Sequence, residues 1–363
     1  MTAEPVLTAE APWSFRNRGA NGLRGLRSRI KILIVKTKTI NKIITKKNRA
    51  ALSAGLMLLI VLSFAGCSAP SELSVIISET ADSLVYADAF GEHVRIKKKP
   101  GRVIALSSSF ADLWYLAGGT IIARTDDTTN LPEEALEAQT VGPIISPSVE
   151  KIVSLKPDLV ILGKFSAHRK VKQILRENGF AAVSMNYYNY DDFTKILDFF
   201  LRLTGREDIR LNVVKKITGQ VNEIIARCRS GKKSRVIMLS VSPAAIHCQT
   251  DRGLVGDMLC RLGAVNPVQS PFRGESTQVP VSIEKVLQIN PDAIFISFHG
   301  DIEKCRIRLD RACLRTPTWG ALDAVQKNRF FFLPRELFLH RPNHRYPEAF
   351  RILAGHLYPE VFH

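Results

Sequence analysis

The sequence predicts an α/β protein with two similar lobes that are joined by one long helix and enclose a cleft. The first observation is an internal repeat: residues 102–107 (RVIALS) return as 235–240 (RVIMLS), and residues 149–162 return as 283–296. The offsets of 133 and 134 residues are the size of a small domain and too long for a solenoid repeat. The second observation is that strand-like and helix-like segments alternate within the copies, as they do in α/β folds. The third is a long helical segment between the copies.

Length and composition agree with an ordinary globular protein of about two domains. The chain has 363 residues, of which 45% are hydrophobic and 23% are charged. Its formal net charge of +17 is unevenly placed: residues 1–66 hold 12 Lys and Arg against 2 Asp and Glu, whereas the remainder holds 39 against 32. More than half of the basic surplus therefore belongs to the leader, and we expect no nucleic-acid partner.

Residues 1–66 are predicted to be a leader that ends in a lipoprotein signal peptide. A basic stretch at 46–49 precedes an apolar run at 51–64, which is shorter than the roughly 20 residues of a spanning helix. Two small residues come directly before Cys67, an order that resembles the lipobox of bacterial lipoproteins. We therefore expect palmitate or a similar lipid on Cys67 and a membrane-anchored, extracytoplasmic protein; a plain membrane anchor or a buried helix is the alternative. Residues 1–45 are expected to be disordered or to lie upstream of the true start.

Residues 67–205 are predicted to form the first lobe. A hairpin spans 85–96 with Gly91 at its turn. After it, apolar runs of strand length alternate with helical segments, which is the order of successive βα units. The predicted elements are a strand at 103–106, a helix at 111–116, a helix at 149–155, a strand at 159–162, a helix at 168–178 and a strand at 182–185.

Residues 206–230 are the predicted connection between the lobes. Apolar residues recur there at helical spacing from Ile209 to Ile225, and about 24 helical residues span about 36 Å. A helical connection resists hinge bending, so we expect small closure motions. Residues 231–363 form the predicted second lobe, which repeats the plan of the first from Arg235 onwards.

The chain resembles the substrate-binding proteins that feed ABC importers of iron complexes and cobalamin. The segments that carry the resemblance are 88–91 with 100–106, 141–142, 147–150, 155–160, 317–325, 331–334, 341–345 and 357–359. In that family each lobe is a Rossmann-like α/β sandwich, one long helix bridges the lobes, and the ligand lies in the cleft. The resemblance implies a ferric siderophore or similar iron complex as ligand, with haem or cobalamin as alternatives. It also implies an ABC permease dimer and its ATPase as partners in trans, a monomer, and no cofactor.

Glu150 and Glu284 occupy the same slot in the two copies, each in the first turn of a predicted helix. The helix dipole alone favours an acidic residue there. The resemblance implies a further role, because the family carries one such glutamate on each lobe and pairs it with arginines of the permease. We therefore expect Glu150 and Glu284 to dock the protein on a two-fold permease.

Candidate ligand-binding residues lie in loops that follow the predicted strands, because ligands of open α/β sheets bind beyond the C-terminal strand ends. In the first lobe they are Ser108, Phe110, Lys164, Phe165, His168, Tyr187 and Tyr188. In the second lobe they are Arg252, Arg273, Phe298, His299, Arg341 and Arg345. Each could also be an ordinary residue of a solvated loop.

The charge of the second lobe indicates an anionic ligand. Residues 231–363 hold 18 basic residues, 13 of them Arg, against 12 acidic ones, whereas 67–230 are nearly balanced. Arginine forks suit carboxylate, catecholate or phosphate oxygens, although an arginine-coated solvent face would give the same count. Cobalamin, which is bulky and near neutral, fits less well. Six residues could ligate haem iron directly or only stack and hydrogen-bond in the cleft: Tyr187, Tyr188, Tyr190, His299, His340 and His344.

Three other classes of protein fit the sequence less well. A receptor for free zinc or manganese needs three or four converging ligands, and the first lobe offers only His93 and His168 as histidines. A secreted α/β enzyme is disfavoured, because the chain has no GxGxxG after a strand and no Walker A, GxSxG or HExxH motif. A scaffold or adhesion lipoprotein is a further alternative. We therefore expect no catalytic residues and no metal-ion site.

Overall fold

The computed structural model describes residues 75–229, 231, 233–268, 276–280 and 282–362. The predicted leader, Cys67 and Arg273 lie outside these residues. The described residues belong to one compact unit. Among them, no helix is both long enough and apolar enough to cross a membrane.

A three-stranded antiparallel sheet begins the described chain. Its strands are β1 (Val75–Glu79), β2 (Ser83–Ala87) and β3 (His93–Lys97), paired in that order. At the β2–β3 turn, Asp88 Oδ1 accepts two backbone N–H groups of the turn at 3.0 Å, and Gly91 has the positive φ of 81° that the reversal requires. The other oxygen of Asp88 accepts from the N–H and hydroxyl of Ser184 and pairs with Lys172. The predicted hairpin is therefore confirmed, and its turn is fixed to the first lobe.

The first lobe contains a five-stranded parallel sheet. Its strands are β4 (Val103–Ala105), β5 (Ala123–Arg124), β6 (Gln139–Thr140), β7 (Leu159–Gly163) and β8 (Ala182–Met185), in the order β6-β5-β4-β7-β8. Its helices are α1 (Ser108–Leu116), α2 (Glu133–Leu136), α3 (Val149–Ser154) and α4 (Ser166–Glu177). Every residue of β4, β7 and β8 is buried, as continuous apolar runs of a parallel sheet should be. The predicted alternation of strands and helices is confirmed here.

Two longer helices follow the first sheet: α5 (Tyr190–Thr204) and α6 (Glu207–Cys228). Helix α5 begins at a capping box formed by Asn189 and Asp192 and ends at Gly205, which has the left-handed φ of 70°. Helix α6 has 22 residues, which corresponds to a length of about 33 Å. The long helix expected in this segment is thus present, while the domain boundaries placed around it stay a prediction.

The second lobe contains a mixed five-stranded sheet. Its strands are β9 (Val236–Val241), β10 (Ile246–Gln249), β11 (Gln278–Pro280), β12 (Ala293–Phe298) and β13 (Phe330–Phe332), in the order β11-β10-β9-β12-β13. Strand β12 is parallel to β9 and β13, whereas β10 is antiparallel to β9 and β11. This departs from the expected repeat of the first lobe's plan. The reason is the turn after β9, where Ser242 N–H donates to the carbonyl of Ala245 at 2.9 Å, because so short a reversal makes neighbouring strands antiparallel.

The helices of the second lobe surround this sheet and reach back to the first lobe. They are α7 (Leu254–Arg261), α8 (Ile283–Ile289), α9 (Ile302–Leu309), α10 (Pro317–Gly320), α11 (Asp323–Gln326), α12 (Arg335–Phe338) and α13 (Tyr346–Leu357), with a π-helical turn at Asp310–Leu314 and a 3₁₀ turn at Asn343–Arg345. Helix α6 packs against both α5 and α13. The ring of Tyr346 in α13 lies 4.9 Å from Tyr190 and 4.8 Å from Phe193, measured between centroids. One hydrophobic core therefore contains side chains of both lobes.

The internal repeat is preserved as equivalent contacts. Asp158 accepts the backbone N–H of Arg102 at 2.9 Å, and Asp292 accepts that of Arg235 at 2.7 Å. Each aspartate lies just before the strand that pairs in parallel with the strand after that arginine. The two repeated segments are therefore the paired central strands of the two lobes and the turns that lead into them.

Candidate functional site

A cavity of about 470 Å³ lies between the two lobes. Its first-lobe lining consists of Ser107, Ser108, Ser109, Phe110, Asp127, Ile144, Gly163, Lys164, Phe165, Met185, Tyr187 and Tyr188. Its second-lobe lining consists of Gln249, Gly253, Leu254, Thr277, Gln278, His299, Arg335, Phe338, Leu339, His340 and Arg341. Most of these residues follow the C-terminal ends of β4, β5, β7, β8, β12 and β13, which is where ligands of α/β sheets bind.

The structure brings eight of the predicted ligand-binding residues together in this lining. They are Ser108, Phe110, Lys164, Phe165, Tyr187, Tyr188, His299 and Arg341. Four other predicted residues lie elsewhere: His168, Arg252, Phe298 and Arg345. Arg273 lies outside the described residues.

His168 is fully buried behind the cavity wall. Its Nδ1 accepts the backbone N–H of Gly163 at 3.1 Å, and its Nε2 lies 2.8 Å from the carbonyl oxygen of Ile144. A backbone N–H can only donate, so Nδ1 carries no proton and Nε2 donates to Ile144. Burial lowers the pKa of His168, which favours this neutral form. Because Gly163 and Ile144 both line the cavity, His168 supports the wall and does not face a ligand.

The other three predicted residues outside the lining are Phe298, Arg345 and Arg252. Phe298 is 8% exposed and packs against Phe332 with ring centroids 5.5 Å apart. Arg345 forms two hydrogen bonds with Glu348, at 2.7 and 2.9 Å. Arg252 is an exposed residue of the turn after β10. None of the three contributes to the cavity as the structure has it.

The described residues that line the cavity include three cations. Arg341 Nε–H donates to the carbonyl oxygen of Tyr187 at 2.8 Å, and its guanidinium carbon lies 5.3 Å from the centre of the Tyr187 ring. Arg335 donates to a backbone carbonyl of the second lobe at 2.8 Å. Lys164 follows β7 on the opposite lobe. The cavity therefore presents positive charge beside aromatic surface, a combination that suits an anionic ligand with unsaturated groups.

Among the described lining residues, Asp127 is the only carboxylate. Its oxygens accept hydrogen bonds from Ser108 Oγ and from the backbone N–H of Thr129. Burial opposes ionisation, but these hydrogen bonds outweigh it and hold the pKa of Asp127 below its usual value. His340 Nδ1 lies 3.7 Å from Asp127 Oδ2. The carboxylate is thus satisfied by its neighbours, and three cations remain against one anion in the lining.

His299 supplies a neutral imidazole to the cavity. Burial, together with the nearby charges of Arg335 and Arg341, lowers the pKa of His299 to about 4. Its Nε2 lies 3.1 Å from Ser297 Oγ. At neutral pH the uncharged ring can donate or accept a hydrogen bond, or ligate iron.

Sequence reasoning missed some lining residues for identifiable reasons. Asp127 follows β5, a strand of only two residues that shows no periodicity. Gln249 ends β10, where its Nε2 donates to Ser240 Oγ at 3.0 Å and its Oε1 accepts the N–H of Val255 at 3.3 Å. Arg335 lies three residues after β13, and its place after a strand end is the signal that could have found it.

The described part of the chain was searched for groups that could bind a metal ion and for reactive cysteines. There, no group of three or more His, Cys, Asp or Glu residues could hold a metal ion. The five described cysteines are thiols, and four of them are buried. Burial raises the pKa of Cys248 to about 12 and that of Cys313 to about 11, which keeps these thiols protonated and unreactive.

Glu150 and Glu284 are exposed in the first turns of α3 and α8. Each helix begins at a serine whose hydroxyl accepts a backbone N–H at 3.3 Å, Ser148 in the first lobe and Ser282 in the second. The two glutamates are therefore equivalent in structure as well as in sequence. Their docking role stays a prediction.

The sequence of the chain is similar to one family model and to known proteins. Residues 103–337 match the family model described as periplasmic binding protein. The chain is 24% identical to YvrC, an ABC transporter substrate-binding lipoprotein of Bacillus subtilis, over 87% of this chain and 99% of YvrC. It is also 24% identical to the Fe(3+)-citrate-binding protein YfmC of Bacillus subtilis, over 80% of this chain and 91% of YfmC.

Solved structures agree on the fold. IsdE of Staphylococcus aureus, complexed with heme, matches with a TM-score of 0.63 at 18% identity, over 71% of this chain and 98% of that chain. An ABC transporter substrate-binding protein of Listeria monocytogenes matches with a TM-score of 0.63 at 21% identity, over 72% of this chain and 100% of that chain. The two-lobed α/β fold predicted from the sequence is thereby confirmed.

Proposed function

The chain belongs to the periplasmic binding protein family, and from this we propose that it is the extracytoplasmic substrate-binding lipoprotein of an ABC importer. Its ligand is a ferric siderophore or a similar iron complex, which binds in the cavity between the lobes. The loaded protein delivers that complex to a permease dimer, and a separate ATPase drives the import. The protein itself acts as a binder and not as an enzyme, as its relatives do.

The observation that carries this proposal is the charge of the cavity. Lys164, Arg335 and Arg341 line it together with the rings of Phe110 and Tyr187. Ferric complexes of citrate or catecholates are anionic and present several oxygens, which cations and arginine forks bind well. The name of YfmC, an Fe(3+)-citrate-binding protein, supports the same class of ligand.

Haem is the second candidate, because the cavity also holds a neutral imidazole. His299 could ligate iron while Arg335 or Arg341 pairs with the propionates. The structure of IsdE complexed with heme supports this reading. Cobalamin, which is bulky and near neutral, suits these cations less well.

The proposed function also includes docking of the protein on the permease and a lipid anchor in the membrane. Glu150 and Glu284 are exposed at equivalent helix starts of the two lobes, so one rigid protein could contact both halves of a two-fold permease. Lipid on Cys67 would hold the protein at the outer face of the membrane. The description of YvrC as a lipoprotein supports that anchor.

Ligand titration tests the proposed function. The compact unit from Ser71 to His363 contains Trp114 and Trp319, so ligand binding can be followed by tryptophan fluorescence. We expect saturable binding of ferric citrate or a ferric catecholate, and at most weak binding of cobalamin and zinc. Binding of haem alone would select the second candidate. Binding of zinc alone, or of none of these ligands, would reject the proposal.

A further inference from the structure

Asn343 joins the second lobe to the first through its side-chain amide. The residue is fully buried in the 3₁₀ turn before α13. Its Oδ1 accepts the hydroxyl of Tyr187 at 2.7 Å, and its Nδ2 donates to the carbonyl oxygen of Ser109 at 2.9 Å and to Asp112 Oδ2 at 2.7 Å. Both N–H groups and the oxygen of the amide are therefore used, and all three partners belong to the first lobe.

The backbone and the partners both select asparagine at this position. Its φ of 48° is left-handed, a conformation that asparagine and glycine adopt more readily than other residues. Glycine would lack the amide. Aspartate would place a second carboxylate against Asp112, which is already buried and whose pKa is raised by that burial. An amide is thus the side chain that can satisfy one donor and two acceptors here.

The same loop holds a cavity residue against the same partners. Arg341, two residues before Asn343, donates its backbone N–H to Ser109 Oγ at 3.4 Å and its Nε–H to the carbonyl of Tyr187 at 2.8 Å. Five hydrogen bonds therefore cross between the lobes from these two residues. Ser109, Tyr187 and Arg341 all line the cavity, whereas Asn343 does not.

We propose that Asn343 is a positioning residue that fixes the second lobe against the first and sets Arg341 and Tyr187 at the spacing at which the cavity binds its ligand. The amide contacts no ligand and acts through those two side chains. The ligand-binding part of this inference rests on the proposed function, whereas the contact between the lobes does not. The two parts can therefore be tested separately.

Hydrogen exchange of the ligand-free, full-length protein tests the contact between the lobes. The variant N343G removes the amide but keeps a residue that tolerates positive φ. The matched control is N328G, since Asn328 is also left-handed, with a φ of 54°, and is exposed. We expect amides of α1 and of residues 187–190 to exchange at least about tenfold faster in N343G and at the wild-type rate in N328G. Wild-type protection in N343G would overturn the proposal.

Ferric citrate binding to the full-length protein tests the positioning. If Asn343 acts through Arg341, the loss of affinity caused by R341Q should be at least about threefold smaller in the N343G background than in the wild type. Equal losses would mean that Asn343 has only a general structural role. A wild-type protein that binds no ferric citrate would refute that ligand, and the exchange result would still decide the contact.

Two variants that exchange the amide of Asn343 and the carboxylate of Asp112 test the positioning role even if N343G fails to fold. N343D should weaken ferric citrate binding, because two buried carboxylates would then face each other at Asp112. The double variant D112N/N343D restores an amide opposite a carboxylate. It should bind ferric citrate at least about tenfold more tightly than N343D does. A double variant no better than N343D would contradict the proposal.

Discussion

Arg341 of the second lobe and Tyr187 of the first lobe meet twice across the cavity. The arginine Nε–H donates to the tyrosine carbonyl at 2.8 Å, and the guanidinium carbon lies 5.3 Å from the centre of the phenol ring. The first contact orients the arginine fork, and the second stabilises its charge over an aromatic face. A cation from one lobe is thus held in place by the other before any ligand arrives.

Replacing this arginine should weaken the binding of anionic iron complexes. R341Q removes a charged donor, and the loss of such hydrogen bonds corresponds to roughly a 10- to 100-fold increase in Kd. The control is R351Q, which makes the same charge change at an exposed residue of α13. Titration of both variants with ferric citrate measures the effect. Equal Kd values for the two variants would show that Arg341 does not contact the ligand.

Stability should depend on pH through His299. Its folded pKa of about 4 lies below the ordinary value of 6.5, so the unfolded chain binds more protons between these values. The stabilisation is therefore complete above pH 6.5 and is lost as the pH falls towards 4. H299Q removes the titrating group and should flatten the fall of Tm over this range. H93Q, which changes an exposed imidazole, should keep the wild-type slope; the same slope in H299Q would contradict the assignment.

The equivalent aspartates of the repeat should stabilise their lobes independently. D158A removes the acceptor of the backbone N–H groups of Gly101 and Arg102, and we expect it to lower the free energy of unfolding by about 1 kcal/mol. D292A should have a similar effect through Arg235. Because the sites lie in different lobes, the double variant should show the sum of the two effects in chemical denaturation. A loss well below that sum would mean that the two turns are coupled.

Removing the exposed glutamates should impair delivery and leave capture intact. E150A/E284A should lower stimulation of the reconstituted importer's ATPase by at least about tenfold, because each lost ion pair weakens docking, while the Kd for the ligand stays unchanged. The control is E303A, since Glu303 is also an exposed acid in the first turn of a helix but lies outside the repeat. A large change in ligand affinity in E150A/E284A would place these glutamates in binding instead of docking.

The sequence pattern alone predicted the strands and helices whose own residues carry a strong local pattern. The buried strands β4, β7, β9 and β12 are apolar runs, and the repeat relates β4 to β9 and β7 to β12 at offsets that the pairing register of the structure reproduces. The β9–β10 reversal was not predicted, because residues 242–250 resemble the loop expected after a parallel strand. Antiparallel pairing there is decided by the turn hydrogen bonds of Ser242, which a repeat argument cannot show.

The residues of the candidate site that the sequence predicted lie in the segments after strand ends. Eight of the expected residues line the cavity, and each lies after the end of a strand, either before the next long helix or in its first turn. His168 follows β7 as well, but it lies in the first turn of α4, where its ring points inward to two backbone groups. Asn343 could not be found from the sequence, because its partners are 156 to 234 residues away along the chain.

We propose that the cavity selects an anionic iron complex by its cations. The most direct measurement compares the Kd of ferric citrate with that of a positively charged ferric trishydroxamate, in the wild type and in K164Q/R335Q/R341Q. We predict at least about tenfold tighter binding of the anionic complex by the wild type, and loss of that preference in the triple variant. Equal or tighter wild-type binding of the cationic complex would contradict this account.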